Sequence, residues 1–440
     1  GVGTSRGLVN GDTLSGSLST AAAQASGAGS YTIDASALSN GNYLVTANNG
    51  TLTINKAHLT VTANNASKTY GDANPVLSTT VSGFVNGETL ATSGVSGAGA
   101  ATTVADATTG AGAAAITAAA GTLAASNYDF TNLVNGTLTI NKAPLTLSGS
   151  MVYNGGSAVA GSNLTATGVN GQTFSVTGAG ATGNLSSVNV QTASVLSSLT
   201  GLSLGTSGNG GLSANYLTLS TTGSSFSVTP ATLTLSGSRY YNGTSVVAGS
   251  TLTATGVNGE NFQVNGSGDP SNLTSTNATP SAVTLNSLTG LSVGGALTGS
   301  GNPSNYFPIS TIGSTYTVNP AVLTITLAPQ TKVYDGKNVA ALSANSFSVT
   351  GFVSGQGATV NQTIGTYNSP NVSSASSVTS GLTAGNYQAA SGTLLSNYVL
   401  PTSVTATASI TPAPLLVIAN SDAKFITQTD SPGYNNVRYS

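Results

Sequence analysis

Short runs in which apolar residues alternate with Thr or Ser recur along the whole chain: TLTI at 51–54, LTVTA at 59–63, LTLS at 145–148, FSV at 226–228, YTV at 316–318 and LTITL at 323–327. A period of two is the pattern of a strand with one wet face, and in the first run it sets Leu52 and Ile54 opposite Thr51 and Thr53. Between the runs stand Asn-Gly pairs at 10, 86, 135, 170 and 258. Asn and Gly tolerate the positive φ that tight hairpin turns demand. Helix signals are nearly absent, because Gly and β-branched residues interrupt every window. The alanine-rich AGAAAITAAAGTLAA at 111–125 reads as strand then turn, since it keeps phase with GSYTIDASALSNG at 29–41. The pattern predicts an all-β chain, with at most one short helical turn per unit near phrases such as GFVNGET at 83–89.

The strand runs belong to a longer repeat. GTLTINKAHLTVTA at 50–63 returns as GTLTINKAPLTLSG at 136–149 and then more loosely, with a pivot alanine at Ala57, Ala143, Ala231, Ala321 and Ala413. The steps between pivots are 86, 88, 90 and 92 residues, so the chain is an array of units near 90 residues. Two landmarks keep phase with the pivots. An Asn-Tyr pair precedes each one, with tyrosines Tyr43, Tyr128, Tyr216, Tyr306 and Tyr398, and a turn phrase follows at GFVNGET, GVNGQTF (168–174), GVNGENF (256–262) and GFVSGQG (351–357).

This phase predicts units at 57–142, 143–230, 231–320 and 321–412, the later half of a unit at 1–56 and the start of another at 413–440. The chain is therefore expected to be a segment of a longer protein, and its lack of a targeting signal says little about the whole. Strands that recur every 8 to 12 residues or so predict β-sandwich-like domains in tandem. The competing architecture, a parallel β-helix, would repeat at roughly 20 residues or fewer. At each pivot, strand residues lie on both sides with no Gly/Ser-rich linker, and Pro144, Pro230, Pro320, Pro412 and Pro414 stiffen the step. Elongated domains joined in this way predict a rod on the order of 150 Å long.

Charged residues are 5% of the chain, with nine basic and eleven acidic side chains scattered singly. Such a chain has no field to attract nucleic acid or an anionic membrane. There is no cysteine, which excludes disulfides and thiolate metal sites. No apolar run approaches the roughly 20 residues of a membrane helix.

The motifs now resemble known families. Lys68-Thr69-Tyr70-Gly71-Asp72, followed by GFVNGET and closed by ASNYDFTNLVNGTLTINKA, resembles the MBG domains of large Gram-negative surface adhesins. Val333-Tyr334-Asp335-Gly336 and its relatives around Tyr153 and Tyr241 resemble the companion YDG repeats. On that resemblance 1–56 and 57–142 are MBG-like, and the next three units YDG-like. The last stub departs from the motif, with Lys424-Phe425-Ile426 where Tyr-Gly-Asp would stand. The resemblance implies a filamentous-haemagglutinin-like adhesin exported by two-partner secretion to the outer cell surface. In it the repeats form a stalk; the resemblance identifies no ligand, and an unknown host-surface or matrix polysaccharide is expected to bind elsewhere in the full chain.

Candidate chemistry is sparse. His58 is the sole histidine, which leaves no triad to assemble. Asp72, Glu88, Asp106 and Asp129 fall in one unit and lack counterparts in the others, so turn or surface positions explain them better than a glycosidase pair. Asp72 and Asn74 offer two oxygens where calcium needs six to eight or so. Lys56 and Lys142 adjoin Asn55 and Asn141, but strand neighbours point to opposite faces and cannot condense into a cross-link. No catalytic, metal or cofactor residue is assigned. The motif tyrosines Tyr70, Tyr153, Tyr241 and Tyr334, and those of the Asn-Tyr set, could stack on sugars. Their fixed phase favours a structural role, with the ring in the core and the hydroxyl on a backbone group. A structural stalk is thus the leading function and a glycan-binding module the alternative. Few lysines guard the sheet edges, so weak side-by-side association is expected as a secondary role.

Overall fold

The computed structural model describes residues 7–298 and 301–418. The departure at Lys424-Phe425-Ile426 lies outside them. The chain divides into two compact units, Gly1–Val152 with Gly156–Thr229, and Tyr153–Gly155 with Pro230–Ser440. The protein is all-β: several sheets with sandwich-like packing, and helices no longer than one 3-10 turn. Sheets formed by distant strands replace the short rungs of a β-helix.

In the first unit, Ser19–Thr20, Gly29–Asp34 and Gly50–Ile54 make a three-stranded antiparallel sheet. Two sheets follow. One has Ala57–Ala63 between Thr79–Ser82 and Tyr128–Val134, and the other orders Ala66–Thr69, Gly136–Asn141, Gly112–Ala119 and Ala100–Thr102. Alternate residues of both sheets fill the core: Leu59 and Val61 from the first, Ile116, Leu138 and Ile140 from the second. The alanine-rich segment is indeed a strand followed by a turn. A six-stranded sheet comes next, in the order Gln191–Ser194, Ser225–Thr229, Thr146–Val152, Leu164–Thr167, Thr173–Thr177 and Ser203–Ser207. Leu147, Phe174, Phe226 and Val228 are buried in it.

The second unit repeats that order with Val283–Thr284, Thr315–Asn319, Thr234–Tyr240, Leu252–Thr255, Asn261–Asn265 and Ser292–Thr298. Its last part centres on a five-stranded sheet of Gln330–Val333, Ser403–Thr411, Ser377–Gly381, Ile364–Tyr367 and Val339–Ala341. Val378, Tyr367 and Ile410 lie in its core.

One topological feature recurs. The strand that opens a repeat lies parallel to one that closes it: Ala57–Ala63 with Tyr128–Val134, Thr146–Val152 with Ser225–Thr229, Thr234–Tyr240 with Thr315–Asn319, and Gln330–Val333 with Ser403–Thr411. Parallel neighbours run the same way, so the chain enters a repeat at one end and leaves at the other. Hairpins alone, which the Asn-Gly pairs predict, would return it to the starting side.

Those pairs divide. Asn10, Asn86, Asn170 and Asn258 have φ between 53° and 56°, and Asn170 and Asn258 turn true hairpins between antiparallel strands. Asn135-Gly136 is no turn: Gly136 begins a strand, and a Cβ there would lie 2.4 Å from the Ala63 carbonyl oxygen. Close backbone approach, not positive φ, requires this glycine. The helical turns also depart from expectation. Val257–Gly259 sits in a turn phrase, but Ser213–Asn215, Pro303–Asn305 and Leu395–Asn397 instead lead into the Asn-Tyr tyrosines.

Candidate functional site

The three landmarks converge on one place in each repeat. Four of the five pivot alanines pair in parallel with the tyrosine of the Asn-Tyr pair that closes the same repeat: Ala57 with Tyr128, Ala143 with Tyr216, Ala231 with Tyr306 and Ala321 with Tyr398. The pairing aims each ring at the turn phrase. Tyr128 accepts the Val85 N–H at 3.2 Å and donates to Glu88 Oε2 at 2.5 Å. Tyr306 accepts the Val257 N–H at 3.0 Å and donates to Glu260 Oε2 at 2.7 Å. Tyr398 accepts from Val353 at 3.1 Å and donates to Gln356 Oε1 at 2.6 Å, and Tyr43 does the same with Val9 and Asp12. Tyr216 donates to Gln172 Oε1 at 2.7 Å.

In the two GVNG phrases the first glycine makes room for the ring. A Cβ on Gly168 would lie 2.4 Å from the Tyr216 ring, and one on Gly256 would lie 2.3 Å from the Tyr306 hydroxyl. A phenylalanine completes each nest edge-on: Phe84, Phe174, Phe262 and Phe352, at 4.8–5.8 Å between ring centroids. It is drawn from before the turn in the GFV phrases and from after it in the GVNG phrases, which is why a single regular motif does not show it.

A second tyrosine then meets the first, and it comes from the preceding YGD or YNG motif. Tyr70 stands edge-on to Tyr216 at 5.5 Å, Tyr153 to Tyr306 at 5.5 Å and Tyr241 to Tyr398 at 5.4 Å. The residue three past the turn valine bridges each pair. Gln172 and Gln356 donate from Nε2 to Tyr70 and Tyr241 at 3.0 and 2.8 Å, while Glu260 accepts from Tyr153 at 2.9 Å. Burial pushes the phenols of Tyr153 and Tyr306 above the ordinary tyrosine value, and Glu260 adds to the effect. Tyr128 is raised chiefly by its bond to Glu88.

The asparagine of the closing pair reaches backward too. Asn127 Oδ1 accepts the Ala28 N–H at 3.0 Å, Asn215 Oδ1 that of Ala111 at 2.9 Å, and Asn397 Oδ1 that of Ala278 at 2.8 Å. At Asn215 and Asn397, which are buried, residues far apart in sequence are thereby clamped by one buried amide and one tyrosine pair, whereas Asn127 is exposed. Sequence reasoning singled out the tyrosines but missed Gln172, Glu260, Gln356 and the Asn side chains. The signal was present: the third residue past the turn valine is Glu or Gln in all four phrases, and Asp12 stands in the same place after Val9 in GLVNGDT at 7–13.

Gly71 and Asp72 shape a turn, with φ of 94° at Gly71, and the Lys68 Nζ donates to the carbonyls of Asp72 and Asp106 at 3.1 and 2.5 Å. Lys332 fills the same place in the YDG loop. It bonds Asp335 Oδ1 at 2.6 Å and the carbonyls of Lys337 and Val339, and holds the Asp335 carboxyl below its usual range. Arg239 likewise contacts Asn242 and Thr244, whereas Met151 stands in the remaining repeat. Gly336, with φ of 77°, turns the loop.

His58 is exposed and pairs with Asp129 at 2.8 Å, and the Thr131 hydroxyl donates to the same carboxylate at 2.9 Å. Among the described residues no group of three acidic or histidine side chains could hold a metal, and no helix is long and apolar enough to cross a membrane.

Residues 2–53 and 59–139 match the family model of the MBG domain (YGX type). Residues 319–407 match that of the YDG domain. No curated protein matches the chain. These are repeat families without an enzymatic activity, found in large adhesin-like surface proteins, and the buried tyrosines of both matched regions serve packing.

Proposed function

We propose that this chain is a stalk of a bacterial surface adhesin, a series of stiffly jointed repeats that projects a binding region away from the cell. Export by two-partner secretion, attachment of cells to one another or to surfaces, and biofilm formation belong to this reading, as does an extracellular location. The observation that carries it is the recurring joint. The Tyr70–Gln172–Tyr216 and Tyr241–Gln356–Tyr398 sets lock residues of successive repeats through groups that are buried and hydrogen-bonded. Parallel opening and closing strands add to it, since they carry the chain from one end of a repeat to the other.

Three of the four motif tyrosines argue against glycan recognition. An aromatic ring grips a sugar with an open face, and Tyr70, Tyr153 and Tyr241 are 3%, 4% and 5% exposed, whereas Tyr334, expected in the core like them, is 43% exposed. A polysaccharide ligand is accordingly assigned to other parts of the parent protein. Small-angle scattering of the chain at low concentration tests the stalk. A compact globule of this length has a radius of gyration of about 22 Å. A value near that would sink the proposal, and one about twice as large supports it.

A further inference from the structure

Residues 143–238 contain no Asp, Glu, Lys, Arg or His. The 143–230 repeat is thus uncharged from end to end, and Lys142 stands immediately before it. Lys142 is exposed and has no ion-pair or hydrogen-bond partner among the described residues. It lies at the rim of a cavity of about 440 Å³ whose apolar lining is Leu199, Leu202, Leu204, Leu217 and Leu219. The rest of the lining carries hydroxyl groups, and none of it is acidic.

Local structure builds this groove. The Leu202 N–H donates to the Leu199 carbonyl at 3.0 Å, a turn at the start of the edge strand Ser203–Ser207. Asn184, which is 0% exposed, donates from Nδ2 to the carbonyls of Ser198 and Thr200 at 3.0 and 3.2 Å. The turn is therefore held in place before anything binds. The other wall begins at Tyr216, whose hydroxyl is anchored on Gln172. The Leu217 N–H donates to the Ala143 carbonyl at 2.9 Å, which brings the Lys142–Ala143 step alongside. Four of the leucines are half-buried and Leu217 is 51% exposed, so the groove keeps apolar surface in contact with water.

The following repeat supplies a comparison. Leu288, Leu291, Val293 and Phe307 stand at the places of Leu199, Leu202, Leu204 and Leu217. Asn272 holds the same turn through the carbonyls of Ser287 and Thr289, each at 3.1 Å. Pro230, however, stands where Lys142 does. The apolar positions recur and the charge does not.

We propose that the groove of the 143–230 repeat binds one apolar chain ending in an anionic group, a free fatty acid or another single-chain amphiphile of that chemistry. The leucines take the chain, which gains by leaving water. The Lys142 ammonium, which no other side chain neutralises, takes the anionic head at the rim. The cavity volume lies within the range of small-molecule sites, about 300–1,000 Å³. One lysine is too little charge to hold the protein on an anionic bilayer, so the ligand is the free amphiphile. The site does not depend on the stalk reading, which is tested by the shape of the chain without ligand.

Isothermal titration of the full chain with decanoate, decyl sulfate and decyltrimethylammonium, each below its micelle concentration, tests the site. Decanoate and decyl sulfate are expected to bind once per chain, and the cationic chain at least about fivefold more weakly. Lys142→Gln is expected to reduce decanoate affinity about fivefold, the upper worth of an exposed ion pair, without weakening the cationic chain. Leu217→Ser is expected to weaken all three. Both positions are exposed, and circular dichroism checks that each variant keeps its fold. Absence of binding, equal binding of the cationic chain, or a decanoate affinity that Lys142→Gln leaves unchanged overturns the proposal. So does binding of two decanoates per chain, since the leucine positions alone would then suffice. Flotation of the chain with vesicles of anionic phospholipid would overturn it as well, by making the ligand a bilayer surface.

Discussion

Tyr241 and Tyr398 meet edge to face, with ring centroids 5.4 Å apart and planes at 81°, although most of two repeats separates them in the chain. The Gln356 amide lies between their hydroxyls and serves both, donating to one and accepting from the other. A glutamine here has no spare capacity on that side: one mutation strands two phenols.

Gln356→Leu is therefore expected to destabilise the second unit by about 1–3 kcal/mol, the usual cost of leaving buried polar groups unpaired. Tyr398→Phe, which removes one phenol and spares the ring contacts, is expected to cost less than Tyr398→Ala, for which large-to-small losses run about 3–5 kcal/mol. Urea denaturation of the three variants checks the ranking, and equal midpoints for all three would refute the role given to the amide.

Gly168→Ala tests the room made for the ring. Its Cβ would fall 2.4 Å from Tyr216, and overpacking of this kind costs roughly 1–3 kcal/mol. The same change at Gly171, where nothing lies within 4 Å but φ is +71°, is strained by backbone alone and is expected to cost about 1 kcal/mol. Thermal melts of the two variants separate packing from backbone conformation.

The Tyr153–Glu260–Tyr306 set is expected to fail in alkali. Its phenols are raised above the ordinary tyrosine value of 10.0, first by burial and then by Glu260. The folded protein therefore keeps protons that the unfolded chain loses. This contribution is complete below the unfolded value and is lost as pH climbs through the folded one. The melting temperature should begin to fall at a pH of about 10, where the unfolded phenols ionise, and Glu260→Gln, which brings the folded values of both phenols down toward the unfolded one, should make the total alkaline loss smaller. An alkaline loss of unchanged size would remove Glu260 from the cause.

Insertion of a Gly-Ser tetrapeptide between Lys142 and Ala143 is expected to loosen the Tyr70–Gln172–Tyr216 joint while each sheet persists. Circular dichroism should be unchanged, and hydrogen exchange at the Ala111 amide, held by Asn215, should rise by at least about tenfold, a loss near 1.4 kcal/mol. Exchange that stays slow would show that the joint does not depend on the short pivot.

The period, the pivots and the alternating strands were legible because they are local signals or recur at nearly constant spacing. Leu52 and Ile54, Leu59 and Val61 fall on the faces that alternation assigns them. The parallel pairing of opening and closing strands was not legible, since it is set by partners some 70 residues apart, such as Ala57 and Tyr128. The tyrosines were singled out by their phase, yet their destination was hidden. Tyr70 needs Gln172 and Tyr216, and no residue near Tyr70 in the sequence reports them. The cation that orders the YDG loop escaped notice for a different reason: Lys68, Arg239 and Lys332 share the place with Met151, so no single residue type marks it.

The parallel strands have a mechanical meaning. A pull on the two ends of a repeat such as 143–230 draws Thr146–Val152 one way and Ser225–Thr229 the other, along the length of the ladder they share. Its hydrogen bonds are loaded together, in shear, and must yield at once instead of opening one after another. Each such repeat resists tension best along the line that joins its own entry and exit.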